Sequence, residues 1–281
     1  MKRALEWQRM PLLVKCSFCV VALLVFLACA GPLLPLADPY AQDIGKGMEM
    51  PSAAHLLGTD QLGRDLLSRI VAGSRFSTVI GLGAVSVGLL VGVPFGVFAG
   101  FYGRWLDVVF ARTIDILLAF PGIILALAVV AVTGPGVSSL IFAVGLRTIP
   151  VFARVARAET ISLRPRDFVE AARALGCRPY QIMAWHILPN IIGPLTIVSS
   201  LESATAILIG ATLSFLGVGI SPEVPEWGAM ISAGRPYMMR YPYLVVAPGT
   251  VLMLAMAALN IIGDYLRDRM DPRSSKGRLL G

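Results

Sequence analysis

A Cys16-x-x-Cys19 pair, the two histidines His55 and His186, a Gly45-Lys46 step, and the charges Arg147 and Glu202 inside apolar runs are the residues that could do chemistry here. Each chemistry demands company. A redox or zinc site built on Cys16-x-x-Cys19 needs a second cysteine pair or a nearby histidine, but the remaining cysteines are Cys29 and Cys177 and neither histidine is close in sequence. These cysteines are therefore read as small apolar packing residues, and no metal site is readable. Gly45-Lys46 lacks both the upstream glycine and the hydroxyl residue of a phosphate-binding loop. No nucleophile elbow or zinc-protease helix is present. The chain carries no catalytic set and calls for no cofactor. Arg147 and Glu202 remain, with two readings: a structural ion pair, or the lining of a polar path.

The elements that would position these groups are set by composition. Of the 281 residues, 56% are hydrophobic and 15% charged, and the mean hydropathy is +0.76. A water-soluble domain carries roughly 25% charged residues. Apolar runs of about 20 residues are what a helix needs to cross the hydrocarbon core. Six spans are expected at Ser17–Ala37, Val79–Phe101, Val108–Val132, Val137–Arg157, Ile191–Leu213 and Leu244–Leu266, giving an all-α polytopic membrane protein. The first run, which ends in Ala28-Cys29-Ala30, is read as a retained helix rather than a cleaved signal, because it continues through Leu36. Glycines are frequent within the second span (Gly81, Gly83, Gly88, Gly92, Gly96, Gly100), as in helices that pack closely in lipid.

The net charge of +7 sits between the apolar runs, which is the distribution of topology-setting charge rather than of a nucleic-acid surface. Seventeen Lys and Arg fall on the side of the termini and six on the other, with Arg147 inside a span. Both termini are therefore expected in the cytoplasm. The division expected is 1–78 (tail, first span and external loop), 79–266 (the transmembrane unit, with a cytoplasmic loop at 159–190) and 267–281 (tail). In the first external loop, Leu62, Leu66, Leu67, Ile70 and Val71 fall on one helical face and Asp60 is a plausible N-cap, which predicts an amphipathic helix lying on the outer surface. In the second external loop, Trp227 is read either as an interfacial belt residue or as an external receptor contact.

The cytoplasmic loop from Arg164 to Asn190 reads as two short helices. Asp167 and Glu170 have capping-box spacing. Gly176 is a left-handed stop, Pro179 suits a first turn, and Pro189 is expected to break the second helix before span five. Phe168, Ala171, Ala172 and Leu175 give the first helix an apolar face of the kind exposed only where something docks.

Glu170-Ala171-Ala172, three residues, Gly176, twelve residues and Leu188-Pro189 resembles the EAA loop of binding-protein-dependent ABC importer permeases. The family pattern has Ile two residues before that Leu. This chain has His186 there and Ile187 one residue on, a variant matching the peptide and nickel branch. Leu57–Arg69, Leu213–Gly219, Glu226-Trp227-Gly228 and Gly263–Asp268 with Asp271-Pro272 resemble the same branch, so the likeness runs from about Leu57 to Pro272. Relatives often carry an acidic residue where this chain has Gly210, and no acidic role is carried over to that position.

The resemblance implies a type I importer permease fold without enzymatic activity of its own. It implies a second homologous permease subunit, two ABC ATPase subunits seated on Glu170, Ala171, Ala172, Gly176, Leu188 and Pro189, and an extracytoplasmic solute-binding protein. Partners other than these and the lipid bilayer are not implied. The expected solute is a di- or oligopeptide, with nickel or another small solute as the alternative. An ion-coupled carrier is the reading from another class, with Arg147 and Glu202 as its only buried titratable material.

Overall fold

The computed structural model describes residues 10–270. Among them the chain is helical, with no strand and a single isolated bridge between Thr59 and Asp65. Five helices are long and apolar enough to cross a membrane, and a pair of shorter helices bent against each other brings the number to six when the two are counted as one span.

α1 (Leu12–Ala30) starts at Leu12 rather than at Ser17. Cys16, Cys19 and Cys29 lie exposed on it and do not pack within this chain, whereas the half-buried Cys177 packs against the core as expected; all four are free thiols.

The second crossing corrects the expected boundaries more strongly. α2 (Leu66–Val87) passes through a π-helical turn (Gly88–Gly92) into α3 (Val93–Tyr102). The expected surface helix at Leu62–Val71 is thus the buried start of this span. Gly63, at φ 75°, turns the chain, and the Asp60 carboxylate accepts from the N–H groups of Leu62 and Arg64 at 2.9 and 3.0 Å. Helix cannot begin until Asp65, which replaces Asp60 as the N-cap and accepts from the Ser68 N–H at 2.8 Å. Burial raises the Asp65 pKa, but hydrogen bonds from the Ser68 hydroxyl and N–H and the neighbouring His55 more than offset that and hold it below the usual aspartate value.

The third span is not one helix. α4 (Arg104–Ala119) and α5 (Gly122–Thr133) meet at 85°. Pro121 has no N–H to continue the ladder, and it pushes the preceding Phe120 into extended conformation at φ −84°, ψ 130°.

α6 (Val137–Leu163) is the spine and touches α2, α3, α4 and α5. It also packs on α9 (Leu188–Phe215), which in turn packs against α11 (Tyr243–Met270). α1 lies against α2 and α11. The α3–α6 seam is backbone on backbone. A Cβ built on Gly92 would lie 2.5 Å from the Ile149 carbonyl oxygen, on Gly96 2.2 Å from that of Ala153, and on Gly100 2.8 Å from that of Arg157. In lipid, where apolar side chains gain little by meeting each other, such close approach maximises dispersion contact.

Candidate functional site

Two ends of the bundle and one point between them carry the chemistry. At one end is the loop that follows α6. α7 (Asp167–Ala174) is capped at its N-terminus by Arg166 without a side-chain bond, so the expected capping box is absent, although Asp167 and Glu170 still place negative charge in the first turn. Its C-terminus closes as expected. Gly176 sits at φ 82°, with Cys177 N–H bonded to Ala172 O at 3.1 Å and Gly176 N–H to Arg173 O at 3.1 Å. These are the paired bonds of a Schellman closure.

The helix is pinned from behind. Val169 and Ala172 are buried in a cluster with Phe101, Phe152, Ala156 and Ile182, and the Arg173 guanidinium stacks 5.8 Å from the centre of the Phe101 ring. Ala172 therefore faces inward and is not part of an outer docking face. The outer face is Phe168, Ala171 and Leu175, spaced three and four residues apart, with Leu175 85% exposed. Glu170 and Gly176 are exposed beside it.

α8 (Pro179–Gln181) starts on Pro179 as expected, with the Arg178 N–H donating to Gln181 Oε1 at 2.8 Å. Pro189 does not break the chain. A π-helical turn, Ile182–Ile187, widens the ladder so that the helix runs on into α9, and Asn190 Nδ2 donates to the His186 carbonyl at 2.6 Å. Leu188 faces a groove of about 520 Å³ shared with Leu89, Leu90 and Pro94 beside the other π turn, apart from the outer face of α7.

At the opposite end, residues 38–65 and 216–242 form a cap. Arg69, 2% exposed, is its hub. Its guanidinium lies 3.5 Å from Asp60, which also pairs with Arg64 at 2.6 Å, and donates to the carbonyl oxygens of Pro39 at 3.0 Å and Pro222 at 3.1 Å. α10 (Trp227–Gly234) is capped by Glu226, whose carboxylate accepts from Gly228 and Ala229 N–H at 3.0 and 2.9 Å. Trp227 is 1% exposed, and its indole N–H bonds the Ile70 carbonyl at 3.1 Å. This overturns both readings of Trp227: a ring buried between α2 and α11 reaches neither the lipid interface nor an external receptor.

Between the ends, Arg147 on α6 and Glu202 on α9 are joined, Nη1 to Oε2, at 2.8 Å, with side chains 23% and 13% exposed. Rising about 1.5 Å per residue, ten residues place Arg147 roughly 15 Å from the cap-side start of α6. Arg147 and Glu202 thus meet near mid-membrane. The other arginines of α6 are also engaged. Arg157 pairs with Asp107, with Nη2 to Oδ2 at 2.7 Å, and Arg154 lies 3.7 Å from Asp115. In the sequence, Arg112 and Asp115 show only as charges interrupting the apolar run Val108–Val132. The missed signal was the eight-residue spacing of Asp107 and Asp115, about two helical turns on one face, opposite the i, i+3 pair Arg154 and Arg157.

If the Arg147–Glu202 contact supports the fold, Glu202→Gln strands a cation at mid-membrane and lowers the folded yield several-fold. Adding Arg147→Met then recovers part of that loss. Quantitative blotting of membranes reads both, and equal yields from all three chains would rule out a supporting role.

The family model described as binding-protein-dependent transport system inner membrane component matches residues 92–276. The chain belongs to this family. It is a multi-pass permease subunit. The dipeptide transport system permease protein of Alkalihalophilus pseudofirmus is 40% identical over 90% of this chain and 84% of its own length. The glutathione transport system permease protein of Pectobacterium atrosepticum is 38% identical over 94% and 88%. A di/tripeptide transport system permease protein of Pseudomonas aeruginosa is 39% identical over 89% and 85%. Among solved structures, an inward-facing MetNI methionine ABC transporter chain superposes with TM-score 0.59 at 19% identity, covering 72% of this permease and 97% of that chain. A chain of an amino acid ABC transporter does so with TM-score 0.55 at 16% identity, over 73% and 95%. The importer-permease fold expected from sequence is therefore the fold of this permease.

Proposed function

We propose that this permease forms half of the translocation pathway of an ATP-driven importer of di- or oligopeptides, paired with a second homologous permease and driven by two ABC ATPase subunits. The observation that carries the coupling role is α7, whose apolar outer face is exposed while its inner face is locked to the bundle. An exposed Leu175 and Phe168 on a rigidly seated helix suit a partner that pushes on them. Val169 and Ala172 would pass that push to α3 and α6. ATP binding would then bias a bundle with two arrangements, which is what coupling requires. A solute-binding protein would meet the cap, where the exposed tip around Met239 replaces Trp227 as the candidate contact. The relatives named for dipeptide and glutathione transport support a peptide solute over nickel.

The charge distribution supports cytoplasmic termini, and hence α7 in the cytoplasm and the cap outside. Cysteines placed at Ser52 and Met239 are expected to react with an impermeant thiol reagent added to intact cells, and those at Ser162 and Leu175 only after lysis. Reaction of Leu175→Cys in sealed cells would reverse the orientation. The function itself is tested by reconstitution. Uptake of dialanine into proteoliposomes should require this chain, the second permease, the ATPases, the binding protein and ATP together. Uptake that persists without ATPase subunits, driven by an ion gradient, would replace this reading with a carrier.

A further inference from the structure

The break between α4 and α5 and the Arg147–Glu202 pair occur at the same place. A Cβ on Gly122, the first residue of α5, would lie 2.8 Å from Arg147 Cδ, so the arginine stem lies directly on the break. From there α5 runs to the cap end, where Gly136 N–H bonds the Gly219 carbonyl at 3.0 Å. At the other end, Asp107 near the start of α4 pairs with Arg157 of α6. The bend therefore lies deep in the membrane. Phe120 is 55% exposed there and Pro121 is exposed too.

Non-helical backbone at that depth cannot face hydrocarbon, because the last carbonyls of α4 lose their helical partners. It survives where protein covers it or where it lines water. A charge at that depth obeys the same rule. The pair engages one guanidinium nitrogen and one carboxylate oxygen at 2.8 Å and keeps 23% and 13% of its side-chain surface open. Two independent features that lipid would not tolerate are thus exposed together.

We propose that Arg147, Glu202 and the open backbone at Phe120–Pro121 form a polar station on the translocation path, where Arg147 takes the carboxylate and Glu202 the ammonium of a zwitterionic solute. The proposal rests on the importer reading above and adds the place and the chemistry of contact. Between transport events the two side chains satisfy each other. A passing peptide with free termini offers each an equivalent partner, so the pair opens without stranding either charge, and it re-forms behind the solute. An uncharged solute offers no such exchange and meets a closed pair.

Two measurements test this. In a chain with Cys16, Cys19, Cys29 and Cys177 replaced by serine and Phe120→Cys added, assembled with its partner subunits, the new thiol is expected to react with an impermeant methanethiosulfonate in the resting or the ATP-bound state. Dialanine should slow that reaction. Failure to react in every nucleotide state would mean that protein or lipid covers the bend, and the station would not exist. In the second, dialanine uptake by the double variant Arg147→Gln with Glu202→Gln, measured per assembled transporter that retains its ATPases, should fall tenfold or more. Unchanged uptake at normal protein level would show a purely structural pair. Should the neutral variant not accumulate, dialanine protection of Phe120→Cys in the chain with both charges intact decides instead. The thiol arm needs no transported peptide, so it reports on the water path even if the chain proves to carry another solute.

Discussion

Leu175→Glu is expected to leave the permease in the membrane at its normal level and to abolish both retention of the ATPase subunits and transport. Leu175 is 85% exposed, so the carboxylate is solvated in the free chain and costs the fold nothing measurable. Once docked, it would be desolvated without a partner against an apolar surface, which is a several-kcal/mol penalty on the order of those measured for unpaired buried charges. Ala172→Glu is the contrasting control. Ala172 is 4% exposed and packed among Val169, Phe101 and Ile182, so this change should lower the amount of folded permease as well as transport. Gly176→Val should fall between the two. No atom lies within 4 Å of a Cβ built there, yet φ is 82°, so the cost is backbone strain alone, on the order of 1–3 kcal/mol. Detergent pull-down with parallel blotting separates the three. Normal ATPase retention by Leu175→Glu would remove α7 from the coupling role.

Gly96→Leu is expected to eliminate folded permease almost completely. Even Gly96→Ala should reduce it sharply, because the first added carbon would stand 2.2 Å from the Ala153 carbonyl oxygen. Overpacking in a core usually costs about 1–3 kcal/mol, where side chains can shift aside. Here the obstacle is backbone, in the middle of α6, and the two helices would have to separate along a seam that also includes Gly92 and Gly100. Separation would uncover Phe152, Val97 and Ala156. Comparison with Gly134→Leu tells crowding from backbone strain, since nothing lies within 4 Å of a Cβ at Gly134 but its φ is 81°, so the loss there reflects strain alone and should be the smaller. Folded Gly96→Leu at wild-type levels, by size-exclusion chromatography, would mean that α3 and α6 do not meet as described.

The all-α membrane architecture and the rough place of each apolar run were legible because they depend only on composition, whereas the starts of α1 and α2 and the bend between α4 and α5 were not. The Gly176 closure and the Pro179 start were legible because left-handed backbone and a missing N–H are properties of single residues. What could not be read was whatever a distant segment decides. Leu66–Val71 has an amphipathic pattern, but Trp227 packs on Leu66 and Ile70 while the loop at Pro222 covers Arg69, so a surface-helix signature belongs to a buried span start. Trp227 itself looked external because tryptophan favours interfaces; its partner, the Ile70 carbonyl, is 157 residues away. Pro189 looked like a stop, since sequence does not announce the π turn that absorbs a proline. Pro121 carries the same signal and does break the chain. For the coupling loop the motif located the right residues but not their faces. Ala171 and Ala172 are adjacent letters about 100° apart around one helix, the first exposed and the second buried.

The cap has a bearing on how the protein is made. Arg69 enters the membrane border early in synthesis, while Pro222 and Glu223, whose carbonyl groups hold it in the finished cap at 3.1 and 3.4 Å, lie more than 150 residues downstream. At about 5–20 residues per second, the nascent chain spends many seconds with that guanidinium and the Leu66–Val71 surface uncovered. Asp60, nine positions upstream and already emerged, gives Arg69 an immediate counter-charge. The early half of the molecule thus brings its own chaperone for its most vulnerable charge, and the late half arrives as a lid that locks α2 in place. Truncated chains that stop before residue 222 would then present an incomplete cap to quality-control proteases, a degradation signal built into the order of synthesis.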